Sequence, residues 1–450
     1  MFVFLLKKAV VFAAVFFLLT AVSYSQNGYD YIFLENGTVL NFKTLPMTVE
    51  RRGNITALST VCDDNGSLLF YSVCEDFKYR VYNKDGKIIY TCGDVLGCIT
   101  KYALISPYED DTYYFISVVR KEQKDGSLLN HLLSVKIKGN AVTSTDIKGV
   151  ACGMIPYVYG DKIYVICNNS VENCVDVYRI DEADLVKCSS YRGVTLPSYL
   201  DSDYDFTVLK FYNDVSKLVY ERDDDFIILD FDVKNVRITG HKRFSIKNCY
   251  NFEFSNDGRF LYFCSVENAD VSSKIDFFRV EASDFFENGA ESVFEKVYSY
   301  SKKGDAFYVS MLLCKDGNIY FACFYDSKLS VIKNTDSDTP EFEPYVVDLG
   351  VGYEHNEHFP NIIRVYNGFD YVDNCSEFEF KYIGYPAKKI VWNFGDGSTV
   401  DGHETLSHVY KKAGKYAVTL NVFLFDGTER LIKKEINVNV LGNMRIEIER

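Results

Sequence analysis

Proline is scarce in this chain, at 8 of 450 residues, and tryptophan occurs once. Basic charge is also short: 49 Lys and Arg stand against 63 Asp and Glu, a formal net charge of −14. That deficit removes the electrostatic footprint of a nucleic-acid binder and sets the chain against anionic lipid. No segment after residue 25 is long and apolar enough to span a bilayer. No tight pair-of-pairs cysteine spacing points to zinc. A Gly-x-Ser-x-Gly elbow and a phosphate-binding loop are both missing, which removes two common hydrolase and nucleotide signatures.

What is plentiful is aromatic: 35 Tyr and 35 Phe, within a hydrophobic fraction of 47%. Abundant Tyr, Phe, Val and Ile favours β-structure and supplies a sizeable core. The length predicts two or more domains. Residues 1–25 read as a secretory signal. Lys7 and Lys8 end a short basic region, Ala9 to Val22 is apolar, and Ser23-Tyr24-Ser25 offers small residues before cleavage at Gln26. An uncleaved anchor is the alternative, because Met1 to Leu6 is also apolar. No Cys follows the run, which argues against a lipoprotein anchor. All 13 cysteines lie beyond the signal, and their odd number leaves at least one free or paired between chains. The local pairs expected are Cys92 with Cys98 and Cys167 with Cys174. Cys264 and Cys323 sit among aromatic neighbours and read as small buried hydrophobes.

From about residue 27 to 365 a unit recurs: a polar turn, an aromatic-rich strand, a loop and a second strand. The paired strands are Leu68–Tyr71 with Tyr79–Tyr82, Tyr113–Ile116 with Leu132–Val135, and Ile163–Ile166 with Val175–Tyr178. They continue with Leu218–Tyr220 and Phe226–Leu229, Phe260–Phe263 and Ile275–Phe278, and Ile319–Phe321 and Leu329–Ile332. The turns recur roughly every 45 to 60 residues, the blade period of a β-propeller. One such unit cannot bury both faces of its sheet, whereas a ring of them can. Tyr31–Leu34 and Tyr345–Val347 are expected to combine into a further blade. Seven blades are favoured, with six or eight as alternatives.

A different pattern ends the chain. Ile390, Trp392 and Phe394 alternate toward the Gly395-Asp396-Gly397 turn, His408-Val409-Tyr410 follows, and Gly414 launches Tyr416, Val418 and Leu420. Phe378 and Phe380 supply an earlier strand, and Leu431, Ile436 and Val438 a last one. Several short strands in so few residues fit a small immunoglobulin-like sandwich. The block resembles the PKD domain, which implies a secreted or surface protein. Trp392, Phe394, His408, Tyr410 and Tyr416 are then structural, as are the turn residues Gly395, Asp396, Gly397 and Gly414. The domain boundaries expected are 1–25 for the signal, 27–365 for the propeller, 370–441 for the sandwich and 442–450 for a tail. Asp64 to Tyr71, Val81 to Gly86, Ala103 to Pro107, Lys315 to Tyr320 and His358 to Asn361 extend the resemblance to secreted propeller–PKD proteins of Bacteroidetes, related to type IX secretion and gliding components. No sorting domain and no OmpA-like domain follows the sandwich, so export by the type IX route is not what the chain leads one to expect.

Candidate chemistry is thin. His355 and His358, beside Glu354 and Glu357, have metal-ligand spacing but run into Pro360 and read as a surface loop. His403 and His408 fall in the sandwich loops, while His131 and His241 stand alone. Asp223-Asp224-Asp225 could attract calcium but reads as a solvated loop. Ser255-Asn256-Asp257-Gly258 shares only the Asp-Gly turn with a sialidase box. No catalytic, metal or cofactor residue is assigned, and no cofactor is expected. The favoured function is a non-catalytic exported scaffold of the envelope or surface, contacting a protein or glycan. Membrane association would come only through partners or an uncleaved signal, and the protein would sit in the periplasm, on the outer-membrane surface or outside the cell. The alternative is a propeller glycoside hydrolase with a paired carboxylate across the channel.

Overall fold

A computed structural model describes residues 31–33, 38–42, 47–51, 59–62, 68–105, 111–160, 162–169, 171–181, 184–194, 208–212, 215–222, 224–269, 272–303, 309–314, 316–323, 326–350, 364–365, 368–374, 377–384, 387–424 and 429–438. Residues 1–25, Cys62, Cys152, Cys375, Asp223, His355 and His358 lie outside these residues or have no described side chain. The chain divides into one compact unit ending at Arg364 and a second beginning at Val365.

The first unit is a β-propeller of consecutive antiparallel sheets. Blade 1 holds β1 (Tyr31–Phe33), β2 (Thr38–Asn41) and β3 (Thr48–Arg51). Blade 2 holds β4 (Ser59–Cys62), β5 (Leu68–Glu75), β6 (Lys78–Asn83) and β7 (Ile88–Cys92). Blade 3 holds β8 (Val95–Ile105), β9 (Thr112–Glu122), β10 (Leu128–Lys138) and β11 (Ala141–Lys148). Blade 4 holds β12 (Val150–Tyr159), β13 (Lys162–Asn169), β14 (Cys174–Asp181) and β15 (Asp184–Tyr191), and β28 (Arg364–Val365) joins the free edge of β12. Blade 5 holds β16 (Val208–Phe211), β17 (Lys217–Arg222), β18 (Asp225–Asp232) and β19 (Arg237–Ser245). Blade 6 holds β20 (Cys249–Phe254), β21 (Phe260–Ala269), β22 (Ser272–Glu281) and β23 (Glu295–Lys303), with the helix α1 (Ala282–Asn288) between its last two strands. Blade 7 holds β24 (Val309–Leu313), β25 (Ile319–Cys323), β26 (Lys328–Lys333) and β27 (Glu341–Asp348).

The burial pattern follows from radial position. Middle strands such as β14, β18 and β25 lie between two neighbouring blades and are buried on both faces, which is why they read as unbroken apolar runs. Outermost strands such as β11 and β15 alternate exposed and half-buried residues. A register shift between the third and fourth strands recurs in blades 2, 4, 5, 6 and 7. Such bulges increase local twist, as the rim of a propeller requires. Blades join through aromatic clusters: Phe277 of blade 6 meets Phe321 of blade 7 edge-on at 4.7 Å, and Tyr157 of blade 4 meets Phe211 of blade 5 at 5.3 Å. Leu40 and Phe42 pack on Leu312, Tyr320, Leu329 and Leu349, so the first sheet closes against the last.

Three sequence expectations change here. Tyr345–Val347 does not merge with the N-terminal strand; it belongs to β27, and closure is by side-chain packing across blades. Helix α1 was not foreseen. Its Phe285 and Phe286 join an aromatic cluster with Phe244 and Tyr212 of blade 5, and Lys242 Nζ donates to the Phe286 and Glu287 carbonyls at the helix end. The described cysteines are all free thiols, including Cys92, Cys98, Cys167 and Cys174. Cys92 and Cys98 lie in different blades. In β13 and β14 the residue opposite Cys167 is Asp176, which puts Cys174 on the diagonal, beyond ordinary disulfide reach.

The second unit is a sandwich. One sheet orders β29 (Gly368–Asn374), β30 (Glu377–Ile383) and β33 (Thr405–Val409). The other orders β32 (Thr399–Asp401), β31 (Ala387–Asn393), β34 (Gly414–Leu424) and β35 (Glu429–Val438). Trp392, Phe394, Phe380, Tyr410 and Leu420 fill the space between them. His408 lies in strand β33 rather than a loop, and Leu431 faces outward at 69% exposure. Among the described residues no helix is long and apolar enough to cross a membrane.

Candidate functional site

In a meandering four-stranded blade, the turn between the second and third strands emerges at the same end as the crossover to the next blade. That end of the propeller is the crossover face. Its crossovers are pinned to the turns beside them. Val95 N donates to Phe77 O at 3.0 Å, Gly149 N to Asn130 O at 3.0 Å, Ile246 N to Asp224 O at 2.9 Å and Leu349 N to Ser327 O at 3.0 Å. In blade 4 the Arg192 guanidinium takes this role, donating to the backbone oxygen of Glu172 at 3.0 Å and to its carboxylate at 3.1 Å.

On this rigid frame large apolar side chains face solvent. Phe77 is 69% exposed, Val171 66%, Leu96 41% and Leu128 40%. They fall in two linked pairs. Leu96 follows the Val95 that bonds Phe77, and a Cβ on Gly149 would come within 2.5 Å of Val171 Cγ2, while Gly149 bonds Asn130 just beyond Leu128. Asp76 and Phe77 both hold left-handed backbone, at φ of 49° and 57°. That geometry suits Asn or Gly, and a bulky Phe there carries strain of about 1–3 kcal/mol. The exposed charges around these residues are mostly acidic: Glu75, Asp76, Asp94, Glu122, Asp125 and Glu172, against Lys78, Lys124 and Arg192.

Beneath Val171 lies a buried carboxylate. Asp176 is fully buried and accepts from Ser190 Oγ at 2.5 Å, Asn169 Nδ2 at 2.8 Å, Lys187 Nζ at 2.9 Å, Tyr178 Oη at 3.0 Å and Cys174 Sγ at 3.3 Å. Burial alone would raise its pKa, but the hydrogen bonds from Ser190, Asn169, Lys187 and Cys174 bring it down to about 2. Asn169 in turn accepts from the backbone N–H groups of Val171 and Glu172 at 3.1 and 3.0 Å, so the carboxylate holds the turn that presents Val171.

The innermost strands carry a second buried network. Lys210 Nζ of β16 donates to Glu253 Oε2 of β20 at 2.7 Å and to the Met311 carbonyl of β24 at 2.9 Å. Glu253 also accepts from the backbone of Leu313 at 3.1 Å and Phe254 at 3.0 Å. Asn251 Nδ2 reaches the Val309 carbonyl at 3.1 Å. These groups join the inner strands of blades 5, 6 and 7, and Glu253 is engaged in that joint rather than open to the channel.

The residues singled out from sequence distribute as follows. Asp224 and Asp225 are engaged by different partners: Asp224 accepts from Cys249 N at 3.1 Å, and Asp225 pairs with Arg243 at 2.6 Å. His131 does not stand alone, because its Nδ1 meets Asp146 at 2.6 Å. His241 meets the Tyr191 hydroxyl at 3.0 Å. Among the described residues no three His, Cys, Asp or Glu side chains group as a metal site requires. In the sandwich Trp392 Nε1 donates to the His403 carbonyl at 2.8 Å and Tyr410 Oη to the Phe394 carbonyl at 3.0 Å. Gly395 has φ of +76°, and a Cβ there would come within 2.8 Å of the Ala417 carbonyl. Gly397 shares the turn, at φ of +94°, and Gly414 opens β34. Tyr416 packs against Tyr410 with the rings tilted, centroids 4.4 Å apart.

Asp396 accepts from Ser398 Oγ at 2.5 Å and meets His408 Nε2 at 2.9 Å. Against the burial that would raise it, these bonds hold its pKa at about 2. A folded-state pKa below the unfolded one gives stability that is present above about pH 4 and lost toward pH 2. Melting temperature of wild type and Asp396→Asn across pH 2–7 checks this. The two proteins are expected to differ at neutral pH and converge at the acid end.

Residues 379–440 match the model of the PKD domain. A comparison with curated proteins finds no match. Among solved structures the chain is similar to the β-propeller domain of Cps50 (Swd1) from Myceliophteria thermophila, at 12% identity over 68% of this chain and 93% of that one, with a TM-score of 0.40. It is also similar to the Dos1 propeller, at 11% identity, 84% and 92% coverage and a TM-score of 0.38. The β-propeller domain of the Trilobed protease from Pyrococcus furiosus aligns at 12% identity, 78% and 99% coverage and a TM-score of 0.32. The chain is an all-β protein in which a β-propeller precedes an immunoglobulin-like sandwich matching the PKD domain.

Proposed function

We propose that this is a non-catalytic binding and scaffold protein, exported through residues 1–25 and acting at the cell envelope or surface, whose propeller docks a protein partner on the crossover face of blades 2 to 4. The observation that carries the reading is the exposed set Phe77, Leu96, Leu128 and Val171 on turns locked by hydrogen bonds. Apolar side chains exposed on rigid turns, ringed by acids, suit a partner surface with apolar anchors and a basic rim. A strained aromatic residue at such a turn is tolerated where function requires it. The sandwich spaces or supplements that contact.

The test is capture from the native envelope by Gln26–Arg450, compared with Phe77→Asp/Val171→Asp. Stoichiometric recovery of the same envelope protein by both forms would sink the reading, as would recovery of none. A gentler change separates binding from folding. Phe77→Asn is expected to raise stability by about 1 kcal/mol, because Asn adopts the left-handed backbone more readily. The same variant is expected to lose the partner. Urea denaturation and the capture assay read the two effects separately.

A further inference from the structure

The outermost strand of each blade ends its sheet, and one side of its backbone meets no further strand among the described residues. A free edge of this kind pairs with other strands unless it is short, bulged, charged or broken by proline. Most outer strands are guarded in these ways. β3 has four residues and β7 five. β7, β15, β19, β23 and β27 each carry a register shift. β19 adds Arg237, Lys242 and Arg243, β23 adds Lys296, Lys302 and Lys303, and β27 adds Pro344. β11 of blade 3 has none of these guards. It runs Ala-Val-Thr-Ser-Thr-Asp-Ile-Lys, pairs with β10 along all eight residues without a shift, and has no buried residue. Gly149 N donates to Asn130 O at 3.0 Å, one step beyond the last pair, His131 with Lys148. Hydrogen-bonded pairs alternate along an antiparallel ladder. The N–H and C=O groups of Val142, Ser144, Asp146 and Lys148 therefore point to the free edge.

We propose that β11 pairs with β11 of a second copy of this chain, antiparallel and about a two-fold axis through Thr145. In that register Ser144 stands opposite Asp146 of the second copy, Val142 opposite Lys148 and Thr143 opposite Ile147. The two Thr145 side chains meet on the axis. The Ser144–Asp146 and Val142–Lys148 pairs carry the hydrogen bonds, because their backbone groups face the edge in both copies. Thr143, Thr145 and Ile147 fall at the other positions, where cross-strand side chains approach more closely. No like charges oppose. Asp146 and Lys148 are the only charges of the strand, and Asp146 is already met by Lys121 and His131. An edge that complements itself is what a two-fold dimer requires. The net charge of −14 on each copy works against the contact, so the dimer tightens as salt screens it. Antiparallel pairing reverses strand direction between the copies, so their crossover faces point opposite ways. The dimer thus bridges two partner molecules, a role that, unlike the dimer itself, rests on the docking face proposed above.

The test is sedimentation equilibrium of Gln26–Arg450 over a range of protein and salt concentrations. A reversible dimer that tightens with salt is expected. Thr145→Lys sets like charges face to face on the axis, and so does Thr145→Glu. Each is expected to weaken the dimer about tenfold. An equimolar mixture of the two is expected to restore it, because opposite charges then meet on the axis. Ser144→Pro removes an N–H from the free edge while sparing the ladder to β10, and is expected to abolish the dimer. Circular dichroism and melting confirm that each variant is folded. The proposal is overturned by a monomer under every condition, by a dimer that persists in folded Ser144→Pro, or by a mixture that associates no better than its components. It is also overturned if dimerisation slows amide exchange elsewhere and not at residues 142–148. None of these outcomes touches the Phe77-dependent capture of an envelope protein, which a monomer can also perform.

Discussion

Replacing Asp176 with alanine is expected to destabilise the propeller by about 3–5 kcal/mol, the range for removing one partner of a buried ion pair. The carboxylate is fully buried and gathers donors from Ser190, Asn169, Lys187, Tyr178 and Cys174. Without it, Asn169 and Tyr178 keep buried donors with nothing to accept them, at about 1–3 kcal/mol for each unsatisfied group. Lys187 loses less, because at 37% exposure its ammonium can turn toward water. Urea denaturation measures the change, and a loss under about 1 kcal/mol would show that the network is not cooperative. Acid should reproduce part of the effect. With a folded-state pKa of about 2 against an ordinary value of 3.8, the stabilisation is complete above the unfolded pKa and fades as pH falls toward 2. The variant's stability should therefore depend less on pH than wild type in that window. Because Asn169 also holds the Val171 turn, Asp176→Ala should loosen the crossover face in blade 4. Faster amide exchange at Val171 and Glu172 would report it.

The strands legible in the sequence are the second and third of each four-stranded blade, such as Phe260–Phe263 within β21 and Ile275–Phe278 within β22. In the blades after the second they announce themselves because both of their faces are covered, which removes the polar alternation that ordinary strands carry. Of the fourth strands only the Tyr345–Val347 part of β27 was read. β15 runs Asp-Leu-Val-Lys-Cys-Ser-Ser-Tyr with mostly exposed positions, and by composition it is indistinguishable from a loop. Some first strands were missed for a second reason, brevity: β16 and β24 are four and five residues long. Helix α1 spans seven residues with Phe285 and Phe286 adjacent, too short to show a helical period. In the sandwich the turn glycines and the alternation around Trp392 carry the pattern in themselves, so that unit was the more legible one.

The site residues were hidden by the same geometry. Val175-Asp176-Val177-Tyr178 reads as a strand with Asp176 facing water, because polar residues on strands usually do. In a strand covered on both sides there is no water face, and Asp176 becomes the most buried carboxylate of its blade. Phe77 was invisible for the opposite reason. Asp76-Phe77 forms a left-handed turn without the Asn-Gly or Asp-Gly that marks one.

Lys210→Met is expected to be comparably damaging, by about 3–5 kcal/mol, because it strands Glu253 in the joint between blades 5, 6 and 7. Glu253 is 3% exposed, and its charge is balanced by Lys210 and by the backbone donors of Leu313 and Phe254. Methionine fills the volume of the lysine stem, so the loss isolates the charge rather than the packing. The double variant Lys210→Met/Glu253→Gln should recover more than half of the loss. A neutral amide oxygen can still accept from Leu313 N, and the desolvated charge is gone. A coupling energy above about 1 kcal/mol in the double-mutant cycle would establish that the two side chains act as a pair. Additive effects would mean that each is held by its blade alone. The result bears on how a ring of small sheets stays closed. Apolar contacts between blades, such as those around Phe277 and Phe321, fix register less tightly than a hydrogen-bonded pair does. The Lys210–Glu253 pair, tied to the Met311 carbonyl and the Leu313 N–H, fixes one register across three inner strands. If that is its role, Lys210→Met should broaden the unfolding transition as well as shift it, while the sandwich melts as before.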